Sequence, residues 1–188
     1  PGKLDAARKS LVGQWHYSPR RVEEINNGWH STEAKSAEQA LRSGDVEALI
    51  NTWENDSYSH YRQEKSVWNL YLLAQLPREM ALTFWLRINE KKHLFAGEDY
   101  FLSILGLDTL PGLLLAFSHH PKETFPLILN FGATELALPV ARVWRRFAAQ
   151  RDLARQWILQ WPEHTATALI PLVFTKPSDN SEAALLAL

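Results

Sequence analysis

Three prolines constrain this chain more than any other feature. Pro77, Pro121 and Pro162 each follow the end of an apolar helical pattern, precede two polar or charged residues, and open a second apolar pattern. The segments read LYLLAQLPREMALTFWL from Leu70 to Leu86, LLLAFSHHPKETFPLIL from Leu113 to Leu129, and QWILQWPEHTATALIPLV from Gln156 to Val173. Proline lacks an N–H and has its φ preset, so the first turn of a helix is where it costs least. Each proline therefore marks a sharp step from one helix into the next. Their spacings of 44 and 41 residues fall in the period of HEAT and armadillo arrays.

Periodicity between the prolines is helical. At 100° per residue, Leu136, Val140, Val143, Trp144 and Phe147 fall on one arc, with Arg142, Arg145 and Arg146 on the opposite one. The pattern predicts helices over 3–12, 33–43, 45–54, 60–75, 77–89, 98–106, 108–119, 122–130, 134–148, 150–160, 163–173 and 179–188. Gly44, Gly97, Gly106 and Gly132 read as helix-end punctuation, where glycine tolerates positive φ. No Asn-Gly or Asp-Gly turn joins alternating apolar runs; Asn27-Gly28 has polar flanks. The expected class is all-α, a right-handed HEAT/armadillo-like α-solenoid of antiparallel helix pairs. Residues 1–31 form an N-terminal helix and irregular arm, and residues 32–188 the repeats. A solenoid needs polar capping repeats. Ser181 to Leu188, SEAALLAL, does not read as a cap, so the array is expected to be cut from a longer chain.

Composition narrows the chemistry. With 46% hydrophobic and 22% charged residues, the 188-residue chain has the balance of a globular fold. The absence of cysteine excludes a disulfide scaffold, a thiol nucleophile and any thiolate zinc site, and fits a cytoplasmic protein. A net charge of −1 supplies no global field for nucleic acid or an acidic membrane. Unbroken apolar runs such as Leu113 to Phe117 are far shorter than the roughly 20 residues of a membrane span.

No catalytic constellation emerges. His119 and His120 are adjacent, so a helix points them about 100° apart, and no His-Glu-x-x-His occurs. His120 aligns with Leu76 and Trp161 as a packing position at a helix junction. A Gly-x-Ser-x-Gly elbow and glycine-rich phosphate loops are also missing. The pairs Glu23/Glu24 and Glu98/Asp99 fit acidic helix starts better than an acid–base pair. No catalytic residue, cofactor or metal ligand is assigned. The pairs Trp68/Tyr71 and Phe84/Ile88 fit the core.

One basic ridge stands out. Arg142, Arg145, Arg146, Arg151 and Arg155 oppose a single acid, Asp152, within 14 residues, and Trp144 and Trp157 interleave with them. Arginine and aromatic rings together can hold single-stranded nucleic acid. Trp144 falls on the apolar arc, however, which favours a solvated arginine face over a stacking platform.

Ala154 to Leu172 carries a family likeness. Ala154, Arg155 and Trp157 lead through Trp161 into Pro162 and Glu163, then Leu169, Ile170, Pro171 and Leu172, with an Ala/Leu-rich helix beyond. This resembles a segment of the WGR-containing, molybdate metabolism regulator (MolR)-like family of large bacterial proteins. The resemblance implies a helical-repeat segment of a regulator; no Trp-Gly-Arg triplet is present, and no residue independently points to molybdate. The expected function is a non-enzymatic scaffold that presents a face to a protein partner or to other domains of its own chain. The helices beginning at Pro77, Pro121 and Pro162 are the expected face. The alternative is a nucleic-acid-binding segment using the arginine ridge.

Overall fold

A computed structural model describes residues 13–15, 39, 43–55, 76–90 and 98–188. The chain divides into two compact units, one of Pro1–His16 with Ala116–Leu188, the other of Tyr17–Leu115. The described residues are helical apart from short turns and one pair of two-residue strands, so the class is all-α. The helices expected at 3–12 and 60–75, all but residues 39 and 43 of the one expected at 33–43, nearly all of the arm, Gly97, and the Trp68/Tyr71 pair lie outside the described residues.

In the unit of Tyr17–Leu115, α1 spans Val46–Asn55, α2 Arg78–Glu90 and α3 Glu98–Leu105. A 3-10 turn at Gly106–Thr109 leads into α4, Leu110–His119, which crosses the boundary between the units. Gly44 has φ 73° and delivers the chain to Asp45. The Asp45 Oδ1 then accepts the Ala48 N–H at 2.9 Å, satisfying a donor that the first turn of α1 would leave open. Ile50, Phe84, Ile88, Phe101 and Leu102 are fully buried. Trp85 anchors this core: its ring is 5.2 Å from that of Phe101, and its indole N–H donates to the Thr109 carbonyl at 2.9 Å. The ring lies on Gly112, where a Cβ would sit 2.4 Å from Trp85 Cδ1. Arg78, the first residue of α2, donates to Asp108 at 2.8 Å and to the Leu105 carbonyl at 2.9 Å, tying α2 to the same turn.

Glu98–His119 forms a 22-residue helical run that length and composition alone would allow to cross a membrane. No uninterrupted apolar stretch in the sequence marks it, because serine, glycine and aspartate divide the run. More than half of its most apolar window is buried inside the protein. Gly106, at φ 60°, also breaks the helical path between α3 and α4.

In the other unit, α5 spans Pro121–Ile128, α6 Thr134–Arg146, α7 Arg151–Gln160, α8 Pro162–Val173 and α9 Asp179–Ala187. Leu136, Ala137, Val140, Ala141 and Val143 make one buried stripe on α6, which packs against α7, α8 and α9. Strand β1, Gln14–Trp15, pairs antiparallel with β2, Phe131–Gly132. These two residues of the expected irregular arm are thus built into the C-terminal unit.

The junctions at Pro121 and Pro162 keep the expected plan in finer detail than periodicity suggests. His120 (φ −132°, ψ 62°) and Trp161 (φ −124°, ψ 57°) adopt the same backbone conformation. Each N–H still closes the preceding helix: His120 donates to the Ala116 carbonyl at 2.8 Å, and Trp161 to that of Trp157 at 2.9 Å. Each carbonyl already starts the next helix, accepting from Thr124 at 3.0 Å and Thr165 at 3.0 Å. One residue is therefore the whole connection. Seven residues past the prolines, Phe84, Ile128 and Leu169 are all fully buried. Among the described residues, α2, α3 and α4 follow Pro77, and α5, α6 and α7 follow Pro121, matching the helices expected at 77–89, 98–106, 108–119, 122–130, 134–148 and 150–160.

Gly132 corrects one sequence expectation. Gly44 and Gly106 take positive φ, but Gly132 does not. It sits buried in β2 beneath the Trp161 ring, where a Cβ would lie 2.3 Å from Cε3. The indoles of Trp157 and Trp161 donate to the Phe131 and Leu129 carbonyls at 2.8 and 3.2 Å. Glycine is needed here for close approach of a ring, not for a left-handed turn.

Candidate functional site

The five arginines of the basic ridge do not form one solvated face. The two helices α6 and α9 pack together, and the last turn of α6 meets the first turn of α9. Arg142 donates from Nε and Nη2 to the Asn180 Oδ1 at 3.0 and 2.6 Å. Arg145 bridges the carboxylates of Asp179 and Glu182. Arg146 reaches the other Asp179 oxygen at 2.6 Å. Arg151 turns back to donate to the Trp144 carbonyl at 3.3 Å. Arg155 is exposed on α7. Three of the predicted ridge residues are therefore gathered on α9, and the other two stand apart from that cluster.

Two helix ends of opposite polarity make this arrangement favourable. Carbonyl groups give the end of α6 partial negative charge, which Arg145 and Arg146 offset; exposed N–H groups give the start of α9 partial positive charge, which Asp179 and Glu182 offset. A capping box fixes the start of α9: Ser178 Oγ accepts from the Ser181 N–H at 3.2 Å, and the Ser178 N–H donates to Ser181 Oγ at 2.8 Å. The hydrogen bond from Arg146, reinforced against desolvation by the charges of Arg146, Arg145 and Arg142, holds the Asp179 carboxyl below the usual carboxylate range.

A pH dependence follows. A carboxyl whose folded affinity for protons is depressed adds stability above its unfolded pKa of about 3.9, and that stability is lost as pH falls through the lower folded value. Asp179→Asn is expected to lower the urea midpoint by a constant amount above about pH 5, with the difference vanishing in stronger acid. Midpoints measured from pH 3 to 7 check this. A difference unchanged across the range would mean that the ionised carboxylate is not what holds α9.

Sequence reasoning missed Asp179, Asn180 and Glu182. Their local signal was present as an acidic first turn behind a Ser-x-x-Ser cap, but partners 33 to 38 residues apart cannot be matched from one helix's periodicity. Phe147 also departs from its expected arc. The helix ends at Arg146, so Phe147 takes extended backbone (φ −117°, ψ 96°) and is 45% exposed. Trp144, expected to be buried, is half-buried, as is His120 at its junction. Glu98 and Asp99 occupy the first turn of α3, as expected for acidic helix starts. The adjacent rings of His119 and His120 are 6.5 Å apart, and among the described residues no group of three His, Cys, Asp or Glu side chains is arranged to hold a metal.

A second surface feature lies on α9 itself. Its buried face carries Ser181, Ala183, Ala184 and Ala187, while Leu185, Leu186 and Leu188 are 66%, 52% and 57% exposed. Small side chains let α9 approach its neighbours closely, and the larger apolar ones face away from them.

No family model matches this sequence, and no solved structure matches it. Among curated proteins, the chain is 89% identical over all 188 residues to "Uncharacterized protein YehI" of Escherichia coli strain K12. It spans 16% of that protein's length.

Proposed function

We propose that this chain is a non-enzymatic helical-repeat segment, a HEAT/armadillo-like array that presents an apolar face to another helical surface. The observation that carries the reading is α9, with alanine on its packed face and leucine on its exposed one. A helix apolar on both sides is stable where both sides are covered. Supporting it are the loop-free junctions at His120 and Trp161 and the coincident buried positions after each proline. The partner is another protein or another part of a longer polypeptide. The match to a much longer relative agrees with the second source. On the MolR-like resemblance, the segment is read as part of a large cytoplasmic bacterial regulator; a link to molybdate rests on that resemblance alone.

A photo-crosslinking residue in place of Leu186 is expected to yield a discrete adduct in Escherichia coli cells. Leu185→Glu with Leu186→Glu, on the same exposed face, should reduce binding to the crosslinked partner at least tenfold while helical circular dichroism is retained. No adduct, or binding unchanged in the double variant, would remove α9 as the interaction face.

The nucleic-acid reading draws less support. Arg142, Arg145 and Arg146 would have to exchange their bonds with Asn180, Asp179 and Glu182 for phosphate contacts. Reversing Arg145 and Arg146 would also set four carboxylates against one another and loosen α9, so Arg155→Glu is the cleaner probe of that reading.

A further inference from the structure

His164 departs from the pattern of its own repeat. Two residues past the other junction prolines stand Glu79 and Glu123, both exposed, whereas His164 is only 2% exposed. Its ring lies 6.0 Å from that of Trp161 at 70°, and its Nδ1 has no hydrogen-bond partner. Trp161 is the residue on which this junction closes, covering Gly132 and donating to the Leu129 carbonyl.

A neutral imidazole suits this place and an imidazolium does not. Neutral, the ring packs against the indole with one empty acceptor. Protonated, it would bring a charge out of water and an Nδ1–H with nothing to receive it. Glu135 on α6 and Glu163 on α8 attract the proton, but burial outweighs them and pushes the imidazole below its ordinary range. Among the described residues, α7, α9 and the strand pair contribute no further charge acting on it. Neither carboxylate bonds Nδ1, so a proton there has no partner in the closed arrangement.

We propose that His164 is an acid-sensitive latch on the α7–α8 junction: protonation turns it toward Glu135, Glu163 and solvent, lifts Trp161 from Gly132, and frees Phe131–Gly132 from Gln14–Trp15. The sign follows from burial. The junction is closed above the ordinary imidazole pKa of about 6.5 and opens as pH falls through the lower folded value. This inference is independent of the α9 surface, since the two rest on different residues.

The test is an NMR titration of the 188-residue chain from pH 8 to 5, following the His164 Cε1–H and the Trp161 indole N–H, with Trp161→Phe identifying the latter. Both signals are expected to move together, with a midpoint below the ordinary imidazole value. His164→Leu should leave the Trp161 signal fixed throughout. Glu135→Gln, which keeps the histidine, should move the shared midpoint further into acid. The latch is overturned if Trp161 is unmoved while His164 titrates, if Trp161 moves equally in His164→Leu, or if His164 titrates at or above the ordinary value.

Discussion

Trp85→Ala is expected to cost about 4 kcal/mol, the largest loss from any single side chain in its unit. The ring is 1% exposed and lies against Phe101, so its removal empties a site that Gly112 is too small to refill. The Thr109 carbonyl also loses the indole N–H, adding about 1 kcal/mol within that total. Neighbouring constraints limit relaxation: α2 is tied by Arg78 to Leu105 and Asp108 in the same turn that Trp85 caps. Trp85→Phe separates the contributions, keeping most of the apolar volume while deleting the donor, and should cost roughly 2 kcal/mol. Urea unfolding followed by circular dichroism measures both variants. A loss under about 1 kcal/mol for Trp85→Ala would show that the ring is not what holds this core together.

How much of this was legible in the sequence depended on whether the controlling contact was local. The prolines announced their helices because the missing N–H and preset φ act within one turn, and helix ends from residue 98 onward fell within a few residues of expectation. Phe84 and Ile88, read as core from spacing alone, are both fully buried. The arginine ridge was legible as a cluster of charge but not as a clamp, because its partners Asp179, Asn180 and Glu182 belong to a helix that packs back from beyond α8. Gly132 looked like any helix-end glycine, since nothing beside it in sequence reports a tryptophan ring 29 residues later. His164 was visible only as a break in the repeat, standing where Glu79 and Glu123 predict an exposed acid.

Gly132→Ala is expected to destabilise its unit by about 3 kcal/mol, the upper end of the cost of overpacking a core. Two effects of the added methyl oppose one another. At a φ that L residues adopt, replacing glycine reduces the freedom of the unfolded chain and stabilises by roughly 0.4–1 kcal/mol, and Gly132 has no positive φ to forbid this. Against it, the new Cβ would fall 2.3, 2.6 and 2.7 Å from Trp161 Cε3, Cζ3 and Cδ2. Those are atoms of a rigid ring, not the end of a flexible chain. Trp161 cannot easily retreat, because its indole N–H is bonded to the Leu129 carbonyl and the His164 ring packs beside it. The clash therefore wins. Trp161→Phe in the same chain supplies the decisive comparison, since its smaller ring withdraws atoms that the methyl strikes. The cost of Gly132→Ala should fall by at least about 1 kcal/mol in that background, a coupling typical of residues in direct contact. Equal costs in the two backgrounds would mean that Gly132 is required for the backbone of β2 and not for the tryptophan above it.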